Sequence, residues 1–142
     1  MKFHNPHTDV FVPDGGEGDA ALARTTHVCV AAHQDDIEIM AYHGIAECFG
    51  RADRWFTGVV VTNGAGSPRA GIYGQCNDAE MQKVRLREQR KAAYVGEYAC
   101  QIQLGYPSSA VKERRHKNLD EREFFGHSHL AYDITEVTFR PR

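Results

Sequence analysis

The residues best suited to chemistry in this chain are an imidazole and three carboxylates that fall within six consecutive positions, His33 to Glu38. Carboxylates this close repel one another, and a cation among them would relieve that repulsion. One imidazole nitrogen combined with carboxylate oxygen suits zinc or another divalent transition metal, whereas magnesium and calcium favour oxygen alone. His33 and Asp36 are the candidate ligands, and Asp35 is then free to take a proton from a metal-bound water. The plainer alternative is that a carboxylate caps a helix and that His33 is an ordinary loop histidine.

Apolar runs around this cluster predict the elements that position it. Short β-branched runs indicate buried strands, and helically spaced apolar residues followed by glycine indicate helices. The predicted elements are a strand at 26–32, a helix at 37–49, a strand at 55–62, a helix at 79–95 capped by Asp78, and a strand at 99–104. This order predicts the α/β class, as a Rossmann-like, doubly wound sandwich with a mainly parallel sheet. His33 and the glycine-rich loop at 63–78 should then border one pocket, because ligand sites lie beyond the carboxyl ends of such strands.

We expect a single domain in three parts, because 142 residues suit one moderate core. Residues 1–24 have low apolar density and predict a loosely structured N-terminal arm, and residues 25–112 form the core. Residues 113–142 are a divergent or shortened C-terminal segment. The charge-dense stretch at 112–123 is typical of a solvated helix or loop, and 130–139 could form an edge strand.

Composition narrows the classes of function. Apolar residues make up 42% and charged residues 25%, which is unlike a disordered chain. A net charge of -2 with scattered basic residues disfavours a nucleic-acid partner, and no apolar run approaches the roughly 20 residues of a membrane span. The N-terminus lacks the apolar core of a signal peptide, and the four cysteines form no C-x-x-C pair. We therefore expect reduced thiols and a cytoplasmic location.

The motif at 32–38, A-H-Q-D-D-I-E, resembles the A-H-P-D-D-x-E signature of the LmbE-like, or PIG-L, zinc-dependent N-deacetylases. Three weaker motifs follow in the order that this family has them. They are the second strand and glycine turn at 60–66, Arg85-x-x-Glu88 with Ala92 and Ala93, and L-G-Y-P at 104–107. The resemblance covers residues 26–112 and is most specific in the first motif.

The resemblance implies roles for individual residues. His33 and Asp36 would bind zinc, and Asp35 would be the general base that activates a zinc-bound water against an N-acetyl carbonyl. Arg85 and Asn63 would bind the substrate, an N-acetylglucosamine-type amino sugar or its conjugate. The implied partner is thus a small molecule, and the chain could also form a homo-oligomer.

This sequence departs from the family pattern at two points. Gln34 replaces the usual proline. This should change the stiffness of the turn rather than its chemistry, because proline carries no ligand atom. The H-x-x-H segment that supplies the third ligand in the family does not follow Tyr106. The remaining histidines there are His116, His127 and His129, of which the last two are candidates with H-x-H spacing. The solvated character of 112–123 favours an open site with two protein ligands.

Three functions follow from these observations. The first is a metal-dependent hydrolase that removes an N-acetyl group from an amino sugar. The second is a catalytically inactive family member with an incomplete C-terminal part, acting as a binding or assembly subunit. The third is a metal-dependent hydrolase of another class, for instance one that acts on phosphate esters.

Overall fold

The computed structural model describes residues 3–112, so the predictions for His116, His127, His129 and the strand at 130–139 lie outside the described residues. Within residues 3–112, the core is a four-stranded sheet in the order β1-β4-β3-β2. Its strands are β1 (Asp9–Phe11), β2 (His27–Ala31), β3 (Phe56–Thr62) and β4 (Cys100–Tyr106). β2, β3 and β4 run parallel, and β1 is antiparallel to β4. The prediction of an α/β fold with a mainly parallel sheet is confirmed.

Five helices accompany the sheet in the described part of the chain. They are α1 (Gly18–Arg24), α2 (Asp36–Met40), α3 (Tyr42–Cys48), α4 (Asp78–Val95) and α5 (Ser108–Lys112), with a single 3₁₀ turn at Gly71–Tyr73. The predicted helix at 37–49 is divided, because Ala41 leaves helical geometry with φ -114° and ψ 20°. Asn77 rather than Asp78 caps α4: its side chain accepts the N–H of Glu80, and the Glu80 carboxylate accepts the N–H of Asn77.

Strand β3 lies at the centre of two apolar clusters. All seven of its residues are buried, as its continuous apolar sequence predicts. Side chains alternate along a strand, so Val59 and Val61 join one cluster while Phe56 and Val60 join the other. Ala21 of α1 packs in the first cluster, and residues of α2, α3 and α4 pack in the second. The sheet therefore buries apolar side chains on both faces.

The N-terminal segment is more ordered than its sequence predicts. The expected loose arm contains β1, which pairs with β4 from Asp9–Gln103 to Phe11–Gln101, and α1. Arg90 of α4 forms an ion pair with Asp9, with Nε 2.9 Å from Oδ2. The prediction of a loosely structured arm is therefore wrong for these residues. A three-residue edge strand is too short for its alternation to be recognised in a sequence.

The carboxyl ends of the parallel strands meet at one edge of the sheet. The N–H of Thr62 donates to the carbonyl of Ala32 at 3.0 Å, and the N–H of Asn63 donates to the carbonyl of Tyr106 at 2.9 Å. The segments that follow β2, β3 and β4 are thus held side by side. Across residues 3–112, no helix combines the length and the apolar character that a membrane span requires.

Gly58 lets side chains from two elements cross the middle of β3. A Cβ atom at Gly58 would lie 2.5 Å from Gln101 Oε1 and 2.9 Å from Ile37 Cδ1. We expect Gly58→Ala to lower the free energy of unfolding by about 1–3 kcal/mol, the usual cost of overpacking a core. Urea denaturation measures this change. Gly66→Ala is the control, because no atom lies within 4 Å of the added Cβ and its effect should stay within about 0.5 kcal/mol. Equal losses in the two variants would contradict this account.

Candidate functional site

The turn between β2 and α2 brings His33 and Asp36 together. Asp35 adopts a left-handed conformation, with φ 76° and ψ -24°, and this reverses the chain just before α2. As a result, Asp36 Oδ2 lies 2.9 Å from the backbone nitrogen of His33, which donates to it, and 3.3 Å from His33 Nδ1. A left-handed residue other than glycine costs about 1 kcal/mol, and aspartate is among the types that tolerate it best.

The spacing of these two side chains suits two ligands of one metal ion. Tetrahedral zinc with bonds of about 2.0–2.2 Å places neighbouring ligand atoms about 3.4 Å apart, close to the 3.3 Å between Nδ1 and Oδ2. An imidazole and a carboxylate are also suitable donors for zinc. Within residues 3–112 there is no group of three or more His, Cys, Asp or Glu side chains placed to hold a metal ion. The pair fits zinc as two of its ligands.

Arg85 of α4 reaches across to Asp35. Its Nη2 lies 2.6 Å from Asp35 Oδ2 and 3.2 Å from the carbonyl of Gln34, and its Nη1 lies 2.5 Å from Glu88 Oε2. Partial burial works against the charge of Arg85, but the hydrogen bonds and charges of Asp35 and Glu88 outweigh it and raise the pKa of the guanidinium. Arg85 therefore stays cationic and holds one oxygen of Asp35. The Asp35 side chain is 64% exposed, and its second oxygen, Oδ1, is not the one that Arg85 holds.

These side chains border a cleft of about 360 Å³ at the carboxyl edge of the sheet. Most of the lining residues have polar side chains, and they come from the β2–α2 turn, the end of β3, the loop after it, α4 and the start of α5. The lining residues are His33, Gln34, Asp35, Asp36, Thr62, Gly64, Gly66, Ser67, Pro68, Arg85 and Ser108. Such a cleft can accept a small hydroxylated molecule, with hydrogen-bonding groups on several sides.

Gly64 allows α4 to approach this cleft. Its φ of 74° is left-handed, and an added Cβ would lie 2.7 Å from Arg85 Cβ and 2.9 Å from Gln34 Oε1. No larger residue leaves room for the Arg85 stem at this distance. The lack of a side chain at Gly64 thus allows Arg85 to lie against the turn after β3 and reach the cleft.

Four of the five sequence-predicted site residues lie together in the cleft: His33, Asp35, Asp36 and Arg85. The fifth, Asn63, does not line it. Its Oδ1 accepts the N–H of Ala65 at 3.1 Å, and the side chain thereby shapes the glycine turn.

Gln34 has a structural role that the motif comparison did not suggest. Its side chain is buried, and Nε2 donates to the carbonyl of Thr62 at 2.9 Å. This bond ties the β2–α2 turn to the end of β3, which the family's proline could not do because it has no side-chain donor. The only hint of this contact in the sequence was that Gln34 stands where the family motif has proline.

A second feature, a buried polar network behind Asp35, was not predicted from the sequence. It joins α2, α4 and β4, and its members are Glu38, Gln89, Tyr98 and Gln101. Gln89 and Gln101 are 1% and 0% exposed, although glutamine is mostly an exposed residue type.

No protein-family model, curated protein or solved structure matches this chain. Its function is therefore inferred from the geometry of the cleft and from the resemblance of its motifs.

Proposed function

We propose that this protein is a zinc-dependent N-deacetylase of the LmbE-like, or PIG-L, type that acts on an N-acetylglucosamine-type amino sugar or its conjugate. The observation that carries the proposal is the convergence of His33 Nδ1 and Asp36 Oδ2, 3.3 Å apart, beside the Asp35 carboxylate in one polar cleft. A metal-binding pair and an adjacent carboxylate are the minimum needed for hydrolysis by an activated water.

His33 and Asp36 would hold the metal, and Asp35 would move the proton. Zinc, when bound, supplies a Lewis acid that lowers the pKa of water and stabilises negative charge on a carbonyl oxygen. Asp35 accepts a proton from the attacking water at Oδ1, since Arg85 occupies Oδ2. The protonated Asp35 then returns that proton to the departing amine. Arg85 keeps the carboxylate oriented toward the cleft during both transfers.

We also propose that the sheet is Rossmann-like and doubly wound, and that residues 1–142 form one domain. The parallel order β4-β3-β2 and the apolar clusters on both faces support this. The third metal ligand remains a prediction. His127 and His129 are its candidates, and the open site with two protein ligands is the outcome that the sequence favours.

The second candidate function is an inactive family member that binds a ligand or a partner. The observation that favours it is the ion pair of Asp35 with Arg85 at 2.6 Å, because the guanidinium occupies one of the two oxygens that could take part in proton transfer. Such a protein would keep the cleft and lack turnover.

Zinc content and product analysis test the proposal. The full chain, purified without chelator, should carry about one zinc ion by elemental analysis and release acetate from N-acetylglucosamine conjugates. His33→Ala should lose the zinc, because it removes one of the proposed ligands. His43→Ala is the matched control, since His43 is exposed and lies outside the cleft.

The outcomes separate the candidate functions. Zinc binding without acetate release supports the inactive member, and release of phosphate from esters supports a hydrolase of another class. Equal zinc content in the wild type and His33→Ala would refute the metal site itself.

A further inference from the structure

We propose that Gln89, in the middle of α4, is a positioning residue that holds the backbone of Asp35 in its left-handed conformation. The inference rests on the proposed function only in naming Asp35 as the base. The contact itself is a hydrogen bond from the Asp35 backbone N–H to Gln89 Oε1 at 3.2 Å. Gln89 is 1% exposed, so water does not compete for this bond.

The orientation of the Gln89 amide is fixed by the acceptors on its other side. Nε2 donates to Glu38 Oε1 at 2.9 Å and to Gln101 Oε1 at 3.3 Å, which uses both of its hydrogens. A flipped amide would point its oxygen at these two oxygens and its NH₂ group at the N–H of Asp35. All three hydrogen bonds would then be lost, so Oε1 must face Asp35.

Glu38 and Gln101 are themselves held in place. The hydroxyl of Tyr98 donates to Glu38 Oε1 at 2.8 Å, and Gln101 Nε2 donates to the carbonyl of Ile102 at 3.1 Å. Burial and the Glu38 carboxylate raise the pKa of Tyr98, which keeps this hydroxyl protonated as a donor. The network therefore presents a single, correctly oriented acceptor to Asp35.

The consequence for the site is geometric. Asp35 and its two neighbours, Gln34 and Asp36, all line the cleft. The backbone conformation of Asp35 therefore sets where its carboxylate meets Arg85. Glycine could adopt this φ without help, but a general base needs a side chain. Gln89 supplies an acceptor for the N–H that the left-handed turn directs into the core.

Amide hydrogen exchange tests the proposal without any assay of activity. In Gln89→Met, which is similar in size and lacks the acceptor, the Asp35 N–H should exchange about five- to tenfold faster, measured by NMR on the full chain. Thr57→Val is the matched control. It removes another buried polar group, the hydroxyl 2.7 Å from Thr25 Oγ1, with no contact to Asp35. Unchanged exchange at Asp35, or an equal rise in both variants, would overturn the proposal.

A second variant covers the case in which Gln89→Met does not fold. Gln89→Asn keeps the amide but shortens the side chain by one methylene, so its oxygen withdraws from hydrogen-bond distance of the Asp35 N–H. Faster exchange at Asp35 is again expected, and no change would overturn the proposal. If the wild type is an active deacetylase, Gln89→Met should also lower kcat by about 10- to 100-fold with KM unchanged, the usual loss for a supporting partner. A wild type without deacetylase activity would refute the proposed function, and the exchange measurement would still decide the role of Gln89.

Discussion

Asp35→Asn should lower the rate of the proposed deacetylation by about 10²–10⁴-fold without loss of zinc, because the substitution removes the proposed general base and leaves the proposed ligands His33 and Asp36 intact. Asparagine is the appropriate replacement in this position. It tolerates the left-handed φ of 76° as well as aspartate does, and its side-chain oxygen can still accept from Arg85. The loss can then be assigned to proton transfer rather than to a rearranged turn. Steady-state kinetics and zinc content are measured on the same preparation.

The matched control for this prediction is Asp53→Asn. Asp53 also accepts hydrogen bonds from an arginine, Arg51, at 2.9 Å. It precedes β3 and therefore lies at the end of the sheet opposite the cleft. Its substitution should leave both activity and zinc content unchanged. If Asp35→Asn abolished zinc binding while Asp36→Asn did not, the roles assigned to the two aspartates would be reversed.

Strand β3 could be predicted because its sequence is continuous and apolar. Val59, Val60 and Val61 are β-branched and consecutive, which favours a strand buried on both faces. Strand β4 shows the limit of this reasoning. Its alternating C-Q-I-Q-L sequence is typical of a half-exposed strand, yet Gln101 and Gln103 are buried under α4. Their burial depends on hydrogen-bond partners, such as Gln89 and the carbonyl of Leu86, that only the folded chain brings near.

The local part of the site could be predicted for a similar reason. His33 and Asp36 are three residues apart at a strand-to-helix turn, so their meeting requires only that the turn be tight. Arg85 is 50 residues from Asp35, and only its resemblance to an arginine of the family motif placed it at the site; its contact with Asp35 was not predicted. The expectation that Arg85 binds substrate remains a prediction. Its two Nη atoms are engaged by Asp35, Glu88 and the carbonyl of Gln34.

Gly64→Ala should lower the stability more than Gly58→Ala or Gly50→Ala, because backbone strain and overlap act together at Gly64. Alanine at φ 74° costs about 1–2 kcal/mol. Its Cβ would also lie 2.7 Å from Arg85 Cβ, an atom fixed to the backbone of α4, which adds about 1–3 kcal/mol. We expect the free energy of unfolding to fall by about 2–5 kcal/mol in urea denaturation. Activity should fall as well, since Arg85 can escape the overlap only by moving away from Asp35.

Gly50→Ala separates the two contributions. Gly50 has a similar φ of 68°, but no atom lies within 4 Å of an added Cβ, so this variant carries the backbone strain alone. It should lose about 1–2 kcal/mol and keep full activity, because Gly50 follows α3 and does not border the cleft. The difference between the two variants then measures the overlap with Arg85. If Gly64→Ala lost no more stability than Gly50→Ala and remained as active, the close approach of α4 to the glycine turn would not be required for the site.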